Sequence, residues 1–215
     1  MGAICRAAAE PEPGDRAPGE RHACAVTSAN SDPPAESDNN AAASAMTASP
    51  LEFVAHSPAE TAAIGESLAV CLRDGDVVLL HGDLGAGKTT LAKGIASALG
   101  VEDVVSSPSF SLVNEYDTRL ATAVTRLYHL DLYRLQSEDD LASIGFDDFM
   151  APADGITLVE WPERASTALP ERFLLVEIEL AGPGSRRLRF VGIPDDEMSR
   201  RRIESLRSRI ASITN

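Results

Sequence analysis

The run Gly82-Asp83-Leu84-Gly85-Ala86-Gly87-Lys88-Thr89 fits G-x-x-x-x-G-K-[ST] in full. The chemistry this spacing permits is phosphate binding. Glycines let the backbone curl so that successive N–H groups point inward at phosphate oxygens. A helix starting near Lys88 adds its positive dipole end. Lys88 is placed for the β- and γ-phosphates. The Thr89 hydroxyl suits Mg²⁺, which takes oxygen donors in a near-octahedral shell. The alternative is a strand–turn–helix that is glycine-rich by accident. The chain has only two lysines, Lys88 and Lys93, so a lysine at the motif position favours the functional reading. Neither lysine follows Asn or Thr, which excludes a guanine-selective N-K-x-D loop, and there is no L-S-G-G-Q stretch. ATP is the expected nucleotide.

A phosphate loop needs carboxylates nearby to hold Mg²⁺ or orient water. Asp131 follows Leu127-Tyr128-His129-Leu130, and Glu160 follows Ile156-Thr157-Leu158-Val159. Acids at the ends of apolar strands lie at the sheet edge where α/β folds bind ligands. For each acid alone, a solvated strand-end carboxylate is the competing reading. Trp161, the only tryptophan, suits core or partner surface better than a base-stacking platform. His81 and His129 are expected to be packed residues rather than ligands. Arg200-Arg201-Arg202 is expected to be a solvated helix face, with an RNA-contacting patch as the other reading.

These residues need elements to position them. Ser57-Pro58-Ala59-Glu60 is a capping box with proline at the first helical position. Ile64, Leu68 and Cys71 or Leu72 then share one face, which predicts a helix to about Arg73. Val77–His81 is a short apolar run, as in a strand buried on both faces. The spacing predicts a helix from Thr89 to Leu99 with Gly100 as C-cap. Two hairpins follow: Phe110–Tyr116 with Val124–Leu132, turning near Asp117–Leu120, and Phe173–Leu180 with Leu188–Ile193, turning at Gly182-Pro183-Gly184. Between them come a short helix starting at Ser137 and a strand at Ile156–Glu160. A terminal helix over 195–211 presents Ile203, Leu206 and Ile210. The expected fold class is α/β with a sheet that mixes parallel and antiparallel strands.

Composition bounds the rest. The chain has 215 residues, 44% hydrophobic and 24% charged, enough for one domain with a real core. No apolar run approaches the roughly 18–20 residues of a membrane span, and the start shows no apolar h-region. Cys5, Cys24 and Cys71 make neither a disulfide framework nor a zinc site, so a cytoplasmic, reducing setting is expected. Residues 1–50 hold 14 Ala, 6 of the 13 Pro and no aromatic residue, and read as a disordered extension. Met46 is an alternative start; a genuine tail is the other reading. The domain boundaries are therefore 51–194, followed by an amphipathic helix at 195–215. The net charge is −14, with 8 basic and 22 acidic residues in 51–185 against 8 and 4 in 186–215. A body this acidic is a poor binder of nucleic acid on its own.

Four stretches carry a resemblance: His81 to Thr90, Ser107-Pro-Ser-Phe-Ser-Leu-Val113, His129-Leu-Asp-Leu-Tyr-Arg-Leu135 and Val159-Glu-Trp-Pro162, with Gly145 between them. Together they resemble the TsaE family, the small ATPase subunit of the bacterial tRNA threonylcarbamoyladenosine system, over about residues 51–190. The resemblance implies a three-layer P-loop NTPase-like fold. It implies nucleotide contacts from Leu84, Gly85, Ala86, Gly87, Lys88, Thr89 and Thr90, with Thr61 near the adenine. Thr89 and Glu160 would ligate Mg²⁺, and Asp131 would orient water or the metal shell. Lys88, Asp131 and Glu160 form the implied catalytic set. Ser107 and Ser109 would sense the γ-phosphate from a switch-like loop; the family usually has Thr where Ser109 stands. The implied partners are TsaB and TsaD, with tRNA reached only through them and weak ATPase activity alone. A small-molecule kinase and a nucleotide-gated interaction module are the alternatives. The first is disfavoured because only Arg119 and Arg126 lie between Lys93 and Asp131. The second is disfavoured by the complete set of Lys88, Thr89, Asp131 and Glu160.

Overall fold

Burial of β-strands on both faces organises this chain. A computed structural model describes residues 50–119, 124–135 and 138–212. The extension over 1–49, the alternative start at Met46, the hairpin tip at residue 120 and the helix start at Ser137 lie outside the described residues. Along the chain come β1 (Leu51–Ala55), α1 (Pro58–Ala69), β2 (Val77–His81), α2 (Lys88–Ala98), β3 (Val113–Asp117) and β4 (Arg126–Asp131). Then follow α3 (Glu138–Ser143), β5 (Ile156–Glu160), β6 (Phe173–Gly182), β7 (Ser185–Ile193) and α4 (Glu197–Ala211). Short 3₁₀ turns occupy Phe146–Phe149 and Pro162–Ala165.

The seven strands form one sheet in the order β1-β7-β6-β2-β5-β4-β3. The neighbours β6-β2, β2-β5 and β5-β4 are parallel, whereas β7, β1 and β3 join antiparallel. The expected mixed sheet is therefore present. Alternation decides its two faces. Val78 and Leu80 of β2 pack with α1, α2 and α4, together with Leu158, Val176 and Phe190. Val77 and Leu79 pack on the opposite side with Leu130, Leu141, Phe146 and Val159. Helices on both faces make three layers.

Local chemistry explains the elements next to the site. The Ser57 side chain accepts the Glu60 N–H at 3.1 Å, and Glu60 Oε2 accepts the His56 N–H at 2.8 Å. This capped end holds α1 against α2 through two glycines. A Cβ on Gly94 would lie 2.0 Å from the Ala62 carbonyl oxygen, and one on Gly65 would lie 2.4 Å from that of Leu91. The helix backbones thus touch where the phosphate loop feeds into α2. Asp196 caps α4 by accepting the Ser199 N–H at 2.9 Å. The face with Ile203, Leu206 and Ile210 is buried.

Several expectations need correction. Helix α1 ends at Ala69, not near Arg73, and Leu72 rather than Cys71 is the buried residue beyond it. The strand expected from Phe110 begins at Val113, because Leu112 takes a positive φ and donates its N–H to the Pro108 carbonyl at 2.7 Å. Leu51–Ala55 is an edge strand on β7. Five residues with one partner strand give too short a pattern to distinguish from a loop. Arg202 is not solvated: it pairs with Asp76 at 2.6 Å, with both side chains largely buried. Arg200 pairs with Asp195 at 2.9 Å, and Arg201 pairs with Glu197. Among the described residues, no helix is long and apolar enough to cross a membrane.

Gly94→Ala tests the helix contact. Alanine favours a helix interior over glycine by about 1 kcal/mol, but overpacking against backbone costs about 1–3 kcal/mol and occasionally more. The variant should denature at lower urea concentration than the parent. A higher midpoint would show that α1 and α2 have room to separate.

Candidate functional site

Parallel pairing brings the site together. Strands β2, β5 and β4 run the same way, so their carboxyl ends meet at one sheet edge. Asp131 and Glu160 are direct register partners on neighbouring strands, and the phosphate loop leaves the end of β2 beside them. A cleft of about 350 Å³ opens there, lined by Leu84, Gly85, Gly87, Lys88, Thr89, Thr90, Ser107, Ser109, Asp131, Tyr133, Glu160 and Trp161.

Gly87 precedes α2 with φ 113°, a left-handed conformation that side-chain-bearing residues rarely adopt. This turn starts α2 at the cleft, which Gly87, Lys88, Thr89 and Thr90 line. Lys88 is buried and donates to the Gly82 and Asp83 carbonyls at 2.6 and 3.0 Å. Its Nζ also lies 3.8 Å from the centre of the Trp161 ring. Burial pulls the amine below the ordinary lysine range, opposed by the carboxylates of Glu160, Glu163, Asp131 and Asp83. Trp161 reaches this place because its own φ is +61°, which turns the chain sharply after β5. The Tyr133 ring lies against the indole at 4.9 Å.

Both acids are buried, at 2% exposure for Asp131 and 3% for Glu160. The competing reading, solvated strand-end carboxylates, is thereby overturned. Glu160 accepts from the Thr89 hydroxyl at 2.9 Å (Oε1) and 3.2 Å (Oε2). His129 Nε2 lies 3.0 Å from Glu160 Oε1. Asp131 Oδ2 accepts from the hydroxyls of Ser107 and, at 2.8 Å, Ser109. Its Oδ1 accepts the Tyr133 N–H at 3.0 Å. The loop carrying the two serines is therefore tied directly to the end of β4. Ser109 makes this contact with its hydroxyl alone.

Thr61 does not line the cleft. It is buried, its hydroxyl donates to the Ser57 carbonyl at 3.2 Å, and its methyl backs Gly87. His81 is not packed: it is exposed and lies 3.1 Å from Glu163. Three further residues join the site. His129 shares a strand face with Asp131, which the two-residue alternation signals. Tyr133 contributes its N–H to Asp131 and its ring to Trp161, and it lies in the His129–Leu135 stretch. Arg186 of β7 donates to the outward carbonyls of Ala86 and Gly85 at 3.3 and 3.4 Å, roughly 100 residues away in the chain. No local signal marks it.

The family model "Threonylcarbamoyl adenosine biosynthesis protein TsaE" matches residues 55–188. The tRNA threonylcarbamoyladenosine biosynthesis protein TsaE of Bacillus subtilis is 39% identical over 143 residues, covering 66% of this chain and 86% of that protein. Its counterpart of the same name in Treponema pallidum is 36% identical, covering 64% and 98%. The crystal structure of Bacillus subtilis YdiB superposes with a TM-score of 0.56 at 32% identity, covering 78% of this chain and 97% of that one. With the phosphate loop, both buried acids and the Glu160-Trp161-Pro162 run inside the matched span, the chain belongs to the TsaE family of tRNA threonylcarbamoyladenosine biosynthesis proteins.

Proposed function

We propose that this protein binds Mg-ATP in the cleft and hydrolyses it as an accessory subunit in threonylcarbamoyl modification of tRNA, acting with TsaB and TsaD. The observation that carries this reading is the convergence of Lys88, Thr89, Asp131 and Glu160, from three separate elements, on one cleft. The loop N–H groups and the start of α2 would hold the phosphates, with Lys88 turning from its own loop carbonyls to their oxygens.

The donor set fits Mg²⁺. Thr89 and Glu160 offer hard oxygen donors, and Mg²⁺ commonly takes one or two protein ligands plus substrate phosphates and water. Among the described residues, no group of three or more His, Cys, Asp or Glu side chains could form an all-protein cage. Mg²⁺ would neutralise charge on the β- and γ-phosphates. Asp131, held by Ser107, Ser109 and the Tyr133 N–H, would orient water and link its position to the serine loop. Arg134 follows Asp131 on the same segment, but its guanidinium stacks on the Phe110 ring at 4.0 Å, and Arg186 is engaged by the Ala86 and Gly85 carbonyls. The constellation therefore supports slow hydrolysis, with a partner supplying the remaining order. An acidic chain is suited to leaving tRNA to its partners. That role implies the cytoplasm.

Lys88→Ala should weaken Mg-ATP binding by about tenfold or more, the loss expected when a charge-assisted hydrogen bond is removed. Calorimetric titration measures it, and unchanged affinity would remove the phosphate-loop assignment. Basal hydrolysis should fall below about 1 per second, the lower end of kinase turnover, and should rise when TsaB and TsaD are added. Fast turnover alone, with a phosphorylated small-molecule product, would establish a kinase instead. Tight Mg-ATP binding with no hydrolysis, with or without TsaB and TsaD, would leave a nucleotide-gated binding module.

A further inference from the structure

We infer that His129 is the positioning residue for Glu160, holding one carboxylate oxygen so that the other faces the cation beside Thr89. The inference rests on the reading of the cleft as a Mg-nucleotide site. His129 has no exposed surface. Its Nε2 is 3.0 Å from Glu160 Oε1, while its Nδ1 is the one buried side-chain nitrogen or oxygen without a hydrogen-bond partner among the described residues.

Packing gives no reason for an imidazole here. A buried polar group without a partner costs about 1–3 kcal/mol, and an apolar side chain of similar size would avoid that cost. The contact with Glu160 is what the imidazole alone supplies. Toward an ionised carboxylate, which only accepts hydrogen bonds, the imidazole would donate from Nε2 to Oε1. Asp131 and Glu160 are register partners, and so are His129 and Leu158. His129 thus stands one step deeper on the same sheet face and meets the carboxylate from below. Thr89 meets it from α2 at both oxygens, 2.9 Å from Oε1 and 3.2 Å from Oε2, so Oε2 is the one left to a cation. If the Thr89 hydroxyl turns its oxygen to a cation, His129 becomes the contact that keeps Glu160 from rotating. Metal ligands are commonly oriented in this way by a hydrogen bond behind them, and loss of such a partner typically costs about 10–100-fold in metal affinity.

The test uses the full chain and ADP, with Trp161 emission as the signal. Trp161 is the only tryptophan and lines the cleft. Mg²⁺ is titrated against the parent, His129→Leu, His129→Gln and His129→Asn, and ADP affinity is also measured in chelator. His129→Leu should need about 10–100-fold more Mg²⁺ for the half-maximal change, with ADP affinity in chelator unchanged. Glutamine can place an amide N–H where Nε2 stands, so His129→Gln should stay near the parent. Asparagine is too short and should behave like leucine. If the leucine variant does not fold, the contrast between glutamine and asparagine decides. A folded leucine variant with the parent's Mg²⁺ dependence, or equal losses in glutamine and asparagine variants, would overturn the inference. A parent that binds ADP without any Mg²⁺ dependence would overturn both this inference and the Mg-nucleotide reading beneath it.

Discussion

A carboxylate taken out of water must be met by donors or opposite charge, and Glu160 imposes that demand on the whole site. A buried charge without partners costs several kcal/mol. Glu160 is met by Thr89 from the first turn of α2, by His129 from β4 and, through space, by the Lys88 ammonium. Two of the partners sit on α2 and the third on β4. The contact therefore links the phosphate-loop helix to two strands of the parallel sheet. A one-residue slip between β4 and β5 would turn His129 and Asp131 to the opposite face.

Lys88 answers the same constraint from the other side. It is buried, so desolvation disfavours its charged form, and four nearby carboxylates oppose that effect in part. Its resting partners are carbonyls of its own loop and the face of Trp161. The left-handed backbone of Trp161 is part of this arrangement, because it folds the indole over the loop immediately after Glu160. In a chain of net charge −14, any anion would have to be held by such local groups: loop N–H donors, one helix terminus and one lysine. Arg186 strengthens the set by capping two outward carbonyls of the loop.

The second acid couples the cleft to its rim. Asp131 gathers Ser107 and Ser109 on one oxygen and the Tyr133 N–H on the other. The turn that follows these serines exposes Phe110, which Arg134 covers on one face. A change at Asp131 would therefore be felt along the serine loop and the Tyr133–Trp161 stack within a few residues of the phosphate loop.

Much of this was present in the chain before folding. The loop from Gly82 to Thr89 announces itself, because phosphate binding needs a fixed spacing of residue types. Asp131 and Glu160 were legible as acids ending apolar runs. The capping box at Ser57 and the apolar face of α4 were legible because their signals span a few residues. Which side chains share a neighbour across the sheet is settled by the fold alone. Strand order and register put Asp131 beside Glu160 and set His129 beneath it, and a hairpin roughly 100 residues downstream brings Arg186 to the loop. Burial, too, belongs to the fold: Arg202 in a triplet of arginines looks solvated until Asp76 is placed against it. Spacing along a chain encodes local turns and faces, whereas pairing energies between distant residues exist only once the backbone has brought them within a few ångströms.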